Sequence, residues 1–202
     1  MSDASKSLLP PRTANLGSWQ AVETGFGIFH VAVLDGAVVQ SSLPGTGRPR
    51  FLAELAARYP GTPFREDPHD PVLRRAAAEL VEYAAGKRTI FDLPVRLDGT
   101  AFQRKVWDAL AQIPFGQTRS YQDIAVAIGR PGASRAVGQA NHHNPVAPII
   151  PCHRVITSTG TLGGYGGGMP LKRALLEHEG VQLASPDPAA EPKGPKQVPL
   201  VP

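Results

Sequence analysis

Hydrophobic residues follow two different periods in the first half of the chain. Residues 18–43 are rich in apolar and β-branched side chains, which predicts β-strands. Within them, residues 27–34 and 37–43 are predicted strands joined by Asp35-Gly36, a dipeptide typical of a type I′ hairpin turn. Residues 91–97 are predicted to be a closing strand.

In two other segments, residues 51–59 and residues 73–85, the hydrophobic residues recur with the period of an amphipathic helix. Gly86 follows the second segment and is placed to end that helix. Residues 61–71 contain several prolines and aspartates and are expected to form a loop. The second helix is expected to bury Leu73, Ala77, Leu80, Val81 and Ala84.

After Asp98-Gly99 the pattern changes to closely spaced helices. Thr100 is predicted to cap a helix that runs to Ile113 and is ended by a proline and a glycine. Residues 144–150 are expected to be extended, and residues 157–168 form a glycine-rich loop. A final helix is predicted over residues 171–179.

A helix-turn-helix is predicted in the middle of this second half. Ser120, with Asp123 three positions later, resembles a capping box that opens a helix over residues 121–128. A glycine-containing turn over residues 129–132 then leads to a second helix over residues 133–142. Two short helices joined by a tight turn have the shape of a DNA-reading element.

The predicted fold class is therefore α/β (α+β), with two domains between two tails. A small domain of hairpin, sheet and helices precedes a mostly helical domain with a helix-turn-helix of winged-helix type. The predicted boundaries are a flexible tail over 1–17, the first domain over 18–97, the second over 98–183, and a disordered proline-rich tail over 184–202.

Composition excludes several classes of protein. The 202 residues are 42% hydrophobic and 19% charged, which is enough to bury a core. No run of eighteen apolar residues indicates a membrane span, and no apolar signal core precedes residue 10, so a cytoplasmic protein is expected. Cys152 is the single cysteine, which excludes internal disulfides and cysteine-rich zinc clusters.

The positive charge is concentrated in the second half of the chain. The formal net charge is +4, and residues 98–180 carry 8 lysines and arginines against 5 acidic residues. This distribution is a mild indication of a polyanionic partner.

The setting of Cys152 indicates a reactive thiol. It follows an apolar segment and Pro151, and a basic pair, His153 and Arg154, comes directly after it. Cysteine reacts as the thiolate, and nearby cationic groups lower the thiol pKa, so a depressed pKa is expected. The alternative is that a lone cysteine serves as an inert, buried hydrophobic residue.

Several ordered motifs resemble the O6-alkylguanine-DNA alkyltransferases, also called methylated-DNA–protein-cysteine methyltransferases. The central one is Pro-Cys-His-Arg-Val-Ile at residues 151–156. The other matching blocks, in chain order, are Phe102-Gln103 with Val106-Trp107, residues 113–116, Ser120-Tyr121, residues 135–138, residues 144–146, residues 164–167 and residues 175–180. The resemblance covers roughly residues 98–180, whereas the first half resembles that family's ribonuclease-H-like domain only in general layout.

The resemblance implies a direct repair reaction in which an alkyl group leaves guanine O6 and joins the sulfur of Cys152. His153 would take the thiol proton through a bound water, and Glu179, rather than neighbouring Glu177, would orient that histidine. Asn144 would brace the active-site loop. Because a thioether cannot be hydrolysed, each molecule would act once, and no cofactor is expected.

The same resemblance assigns residues to DNA and to the substrate base. Arg135 would enter the space of the extruded nucleotide, and Tyr121 would crowd the target phosphate so that the base rotates out. The remaining expected DNA contacts are Gln122, Ser134, Ala136 and Gly138. The expected base pocket is formed by Val155, Tyr165 and Gly166.

The expected partner is double-stranded DNA that contains alkylated guanine, bound by a monomer without an obligate protein partner. No metal site is expected, and His142-His143 has no cysteine or carboxylate near it in sequence. A helix-turn-helix regulator that uses Cys152 as a redox or alkylation sensor is the main alternative. A cysteine hydrolase would leave the helix-turn-helix unexplained, and a non-catalytic lesion binder would leave Cys152 unexplained.

Overall fold

The computed structural model describes residues 16–183, so most of the first predicted tail and all of the second lie outside it. The strands are β1 (Gly17–Thr24), β2 (Gly27–Leu34), β3 (Ala37–Ser41), β4 (Phe64–Glu66), β5 (Arg119–Ser120) and β6 (Val155–Ile156). The helices are α1 (Arg48–Arg58), α2 (Pro71–Ala84), α3 (Ala101–Ala111), α4 (Tyr121–Ala127), α5 (Ser134–His142) and α6 (Met169–His178). Cys152–Arg154 form one 3-10 turn. No helix within residues 16–183 has the length and apolar character to cross a membrane.

The first four strands form one mixed sheet in the order β3-β2-β1-β4. The pairs β1–β2 and β2–β3 are antiparallel, and β4 is parallel to β1. The hairpin between β2 and β3 turns at Asp35 and Gly36, whose φ angles are 52° and 73°. Two successive left-handed residues define a type I′ turn, so the predicted hairpin is confirmed.

The predicted loop over residues 61–71 is wrong in one part, because it contains β4. This strand extends the sheet beside β1, and the amide of Gly17 donates to the carbonyl of Pro63 at 2.9 Å. Gly17, which was predicted to be the last residue of the first tail, is therefore the first residue of β1. Three residues among prolines and charges are too few to show a strand period.

The predicted strand over residues 91–97 is also wrong. Only Val95 forms a bridge, to Val38 in β3. The amide of Val38 donates to Pro94 at 2.8 Å, and the amide of Arg96 donates to Val38 at 2.9 Å. Because Pro94 has no N–H to donate, the ladder cannot extend from this bridge toward residue 92.

Helix α2 buries the predicted Leu73 and Leu80, but one predicted core residue is wrong. Val81 is 47% exposed, whereas Glu79 and Tyr83 are buried together with Leu73 and Leu80. Hydrophobicity alone predicts that a valine is buried in preference to a glutamate or a tyrosine. The carboxylate of Glu79, however, accepts bonds from its neighbours, including the Arg75 guanidinium at 3.1 Å, and a satisfied polar group can be buried.

The helix caps predicted in the second half are confirmed. Thr100 accepts from the amide of Gln103 and forms a complete capping box at the start of α3. Ser120 and Asp123 form the second capping box, at the start of α4. Helices α4 and α5 then follow as the predicted helix-turn-helix, and the winged-helix assignment stays a prediction.

The sheet and helices α2 to α5 share one hydrophobic core, while α1 packs against the sheet in a second buried cluster. Phe29 and Val31 of the sheet, Leu80 of α2, Trp107 of α3 and Cys152 belong to the same buried cluster. The α+β fold class is confirmed. The division into two domains at residues 97 and 98 remains a prediction, because this core is continuous across it.

Trp107 fixes α5 on α3, since its indole N–H donates to the carbonyl of Ala140 at 2.9 Å in the interior. Trp107→Phe removes that donor and leaves a buried carbonyl unpaired. We expect the free energy of unfolding to fall by about 1–3 kcal/mol, measured by urea denaturation. An unchanged value would show that this hydrogen bond does not hold the helix.

Candidate active site

Cys152 lies at the start of the 3-10 turn and is only 6% exposed. Its amide donates to the carbonyl of Ile150 at 2.9 Å. Asn144 folds back over the same segment: its side-chain amide donates to Ile150 at 2.7 Å, and its oxygen accepts from the amide of Val146 at 3.1 Å. The structure therefore places Asn144 as a brace of the segment that leads into Cys152.

Glu179 is the acceptor at the centre of the site. It is 4% exposed, although it lies at the C-terminal cap of α6. Its Oε1 is 2.8 Å from Nε2 of His153, and Arg154 donates to both carboxylate oxygens, at 2.8 and 3.0 Å. The exposed Glu177, the competing candidate, instead lies 3.8 Å from Arg173.

Two further groups donate to this carboxylate, and sequence reasoning missed both. The hydroxyl of Tyr83, on α2, donates at 2.7 Å, and the amide of Gly116 donates at 3.3 Å. No sequence signal identifies Tyr83, because an aromatic residue on an amphipathic helix is ordinarily a core residue. Arg154 is the third missed residue, although its place in the Pro-Cys-His-Arg run could have marked it.

The charge of Glu179 is maintained despite burial. Burial alone would raise the pKa of this carboxyl, but hydrogen bonds from His153 and Arg154 lower it to about 2. Burial lowers the pKa of His153, against the opposing effect of Glu179, so the imidazole is neutral at neutral pH. A neutral imidazole that donates from Nε2 to a carboxylate has an unprotonated Nδ1. That Nδ1 is buried and has no hydrogen-bond partner within residues 16–183.

The expected depression of the Cys152 pKa is wrong. Burial raises the pKa of the thiol above its ordinary value, although Asn144 and the charge of Lys172 act in the opposite direction. The sequence places cationic residues next to the thiol, but the carboxylate of Glu179 compensates the adjacent Arg154 charge. Cys152 is therefore a neutral thiol at rest, and it must lose its proton as it reacts.

Lys172 is an unpredicted buried residue close to the thiol. Its ammonium donates to the carbonyl of Val155 at 2.6 Å and to that of Leu162. It also lies 6.0 Å from the centre of the Tyr121 ring. Burial lowers the pKa of Lys172 to about 8, while the proximity of Cys152 acts to raise it.

A cavity of about 450 Å³ opens onto the thiol. Its walls include six of the predicted site residues: Tyr121, Gly138, Asn144, Cys152, Tyr165 and Gly166. Val155, the other predicted pocket position, is fully buried in β6, and its part in binding the base stays a prediction.

The predicted DNA-contacting residues lie along α4 and α5. Arg135 and Ala136 are exposed at the first turn of α5. The side chain of Gln122 donates to the carbonyl of Pro131 at 2.6 Å and accepts from the hydroxyl of Ser134, so these two residues hold the turn between the helices. Within residues 16–183 no group of three potential ligands could hold a metal ion, and His142 and His143 pack edge to face.

Residues 101–181 match the family model described as the DNA binding domain of 6-O-methylguanine DNA methyltransferase. A methylated-DNA–protein-cysteine methyltransferase of Mycobacterium bovis is 46% identical over 153 residues, 75% of this chain and 93% of that protein. The crystal structure of Mycobacterium tuberculosis OGT in complex with DNA has a TM-score of 0.69 and 42% identity, covering 80% of this chain and 92% of that one. The structure of the O6-methylguanine-DNA methyltransferase of Pyrococcus kodakaraensis has a TM-score of 0.58 and 26% identity. The match covers 82% of this chain and 99% of that one.

Because Glu179 is buried and charged, the free energy of unfolding is expected to fall at acidic pH. The folded pKa of about 2 lies below the ordinary value of 4.5, so this carboxylate stabilises the fold above pH 4.5 and stops doing so as the pH falls toward 2. The shift corresponds to on the order of 3 kcal/mol. We expect Glu179→Gln to lose this acid-dependent part of the free energy of unfolding, measured by urea denaturation at a series of pH values.

Glu177→Gln is the matched control, since it makes the same change at an exposed position two residues away. Its acid profile should equal that of the unmodified protein. Parallel acid profiles for Glu179→Gln and the unmodified protein would contradict the assigned charge state.

Proposed function

The chain belongs to the family of methylated-DNA–protein-cysteine methyltransferases, and we propose that it repairs O6-alkylguanine in duplex DNA by transferring the alkyl group to Cys152. The observation that carries this proposal is the arrangement around the thiol. Cys152 borders a cavity, and the adjacent His153 is held by a buried, charged Glu179. The O4-alkyl group of thymine is a further substrate within the same proposal.

The transfer is a displacement at carbon. A bond forms between the sulfur of Cys152 and the alkyl carbon, while the bond from that carbon to guanine O6 breaks. The thiol proton goes to Nδ1 of His153 through a bound water. The guanine anion takes up one proton from solvent when it leaves, and His153 returns its proton to solvent. The products are S-alkylcysteine and guanine, so protons balance without a cofactor.

Glu179 makes His153 an effective acceptor in this step. As His153 gains a proton, the imidazolium forms 2.8 Å from a carboxylate that is already charged. This attraction increases during the transfer, which is the property that lowers a barrier. Arg154 fixes the carboxylate from the other side, and Asn144 holds the segment that leads to the thiol.

A guanine stacked in a duplex cannot reach a thiol that is 6% exposed, so the nucleotide must rotate out of the helix. We assign this task to α4 and α5. Arg135 takes the space of the extruded base, and Tyr121, which lines the cavity, faces the incoming nucleotide. The small side chains of Ala136 and Gly138 let α5 approach the DNA closely.

The chain would act as a monomer in the cytoplasm, where it has access to DNA.

Gly166 lines the cavity without a side chain, so a purine can approach the backbone there. Tyr165 lines the same cavity.

Incubation with duplex DNA that contains O6-methylguanine tests the function directly. We expect the intact mass of the protein to rise by one methyl group, mapped by peptide analysis to Cys152. Cys152→Ser should gain nothing, because a hydroxyl yields almost no anion at neutral pH, and should still bind the duplex. A methyl group on another residue, or methyl transfer by Cys152→Ala, would overturn the assignment.

Arg135 can be tested by comparing two substrates. Arg135→Ala should slow repair of duplex DNA by roughly 30- to 150-fold, the equivalent of about 2–3 kcal/mol of uncompensated unstacking. Reaction with free O6-benzylguanine, which needs no extrusion, should be unchanged in single-turnover assays. Arg135→Lys should recover part of the duplex rate, since it keeps charge and length.

Arg130→Ala provides the control, because Arg130 is an exposed arginine in the turn just before α5. A mere phosphate contact at either position would weaken duplex binding and reduce its salt dependence. Equal losses on duplex and free base for Arg135→Ala would show that the residue supports the active site instead.

A further inference from the structure

The edge of β3 is joined to the segment that carries the reactive cysteine. The amide of Ser41, the last residue of β3, donates to the carbonyl of Pro145 at 2.8 Å, and Ser41 forms an isolated parallel bridge with Val146. The hydroxyl of Ser41 donates to the carbonyl of Ala147 at 2.6 Å. One serine of the first half thus binds two carbonyls of the second half, and the farther of them, that of Ala147, is 106 residues away in sequence.

The segment that Ser41 holds is short and closed on itself. The amide of Ile150 donates to Val146 at 2.8 Å, and Asn144 spans the same segment through its side chain. The carbonyl of Ile150 in turn accepts the amide of Cys152. A displacement at Ala147 is therefore transmitted both to Asn144 and to the backbone of Cys152.

We propose that Ser41 is a positioning residue for alkyl transfer: its hydroxyl, through the carbonyl of Ala147, holds the 144–150 segment so that Asn144 and Cys152 keep their reactive arrangement. The inference rests on the proposed function and gives the N-terminal sheet a part in it. Ser41 contacts neither the thiol nor the substrate base, and it acts through Ala147.

The cavity supports the same assignment. Ala147 is buried and lines the wall of the reactive cavity beside Asn144 and Cys152. Loss of the Ser41 hydroxyl would leave a buried carbonyl without its donor, and the segment would shift to find another partner. Slight displacement of a reacting group is enough to reduce a rate strongly.

The chain offers a matched control in Ser18. Ser18 lies in β1 of the same sheet, is equally buried, and donates through its hydroxyl at 2.6 Å to Asp70 at the start of α2. Ser41→Ala and Ser18→Ala each remove one hydroxyl and one hydrogen bond of the same length. Both should lower the melting temperature, but only the Ser41 bond ends on the segment that runs directly into Cys152.

We expect Ser41→Ala to slow single-turnover reaction with free O6-benzylguanine by about tenfold to a hundredfold at a temperature where the protein is folded. Ser18→Ala should react at the unmodified rate. Ser41→Thr, which keeps the hydroxyl and suits a strand, should recover most of the loss.

The pH dependence of the reaction rate distinguishes a positioning role of Ser41 from a general loss of stability in Ser41→Ala. Asn144 acts to lower the pKa of the buried thiol, so its displacement should move the pH–rate profile of Ser41→Ala to higher pH. The other titratable groups that face the thiol are unchanged in both variants: Tyr121 of α4, Tyr165 of the glycine-rich loop, Lys172 of α6, and His153 with Glu179.

Alkylation of Cys152 by iodoacetamide, followed over the same pH range, keeps this test independent of the proposed function. If the unmodified protein accepts no alkyl group from O6-alkylguanine, the proposed function fails, and the iodoacetamide profiles still report whether Ser41 controls the thiol. Equal rates and equal pH profiles for Ser41→Ala and Ser18→Ala with both reagents would overturn the assignment. If Ser41→Thr reacts as slowly as Ser41→Ala, the assignment would also be overturned, because the Ser41 hydroxyl would then not be what maintains the reaction rate.

Discussion

The carboxylate of Glu179 brings a negative charge into the interior, and the surrounding structure is arranged to compensate it. Removing a carboxylate from water is costly unless paired groups and hydrogen bonds replace the solvent. The hydrogen bonds that replace the solvent around Glu179 come from Arg154, His153, Tyr83 and the backbone amide of Gly116. These donors come from α2, from the segment after α3, and from the 3-10 turn. The need to satisfy one carboxylate thus brings together parts of the chain that lie far apart in sequence.

Burial determines the state of the thiol. It raises the pKa of Cys152 and outweighs the opposing effects of Asn144 and Lys172. In the proposed reaction the thiol is therefore neutral until a substrate arrives, and His153 accepts its proton as the bond to carbon forms. A neutral buried thiol is protected from oxidation and from unselective alkylation, because the thiolate is the reactive form. That protection suits a protein that can use its cysteine only once.

Local chemistry was predictable from the sequence, whereas contacts between distant segments were not. The hairpin at Asp35-Gly36 and the capping boxes at Thr100 and Ser120 depend on neighbouring residues, and the structure contains all three. Tyr83 and Ser41 reach the site across 96 and 106 residues, and no local pattern marks them. The expected low pKa of Cys152 failed for the same reason, since burial and the pairing of Arg154 arise only in the folded chain.

The proposed reaction requires Cys152 to be protonated before substrate binds, and the ultraviolet absorbance of the thiolate reports its ionisation state. The difference in absorbance between the unmodified protein and Cys152→Ala, recorded across a pH titration without DNA, isolates the single cysteine. A neutral buried thiol predicts no thiolate absorbance at neutral pH and its appearance only in alkaline solution. Full thiolate absorbance at neutral pH would rule out a neutral resting thiol, because Cys152 would then be ionised before any substrate binds and would need no proton acceptor.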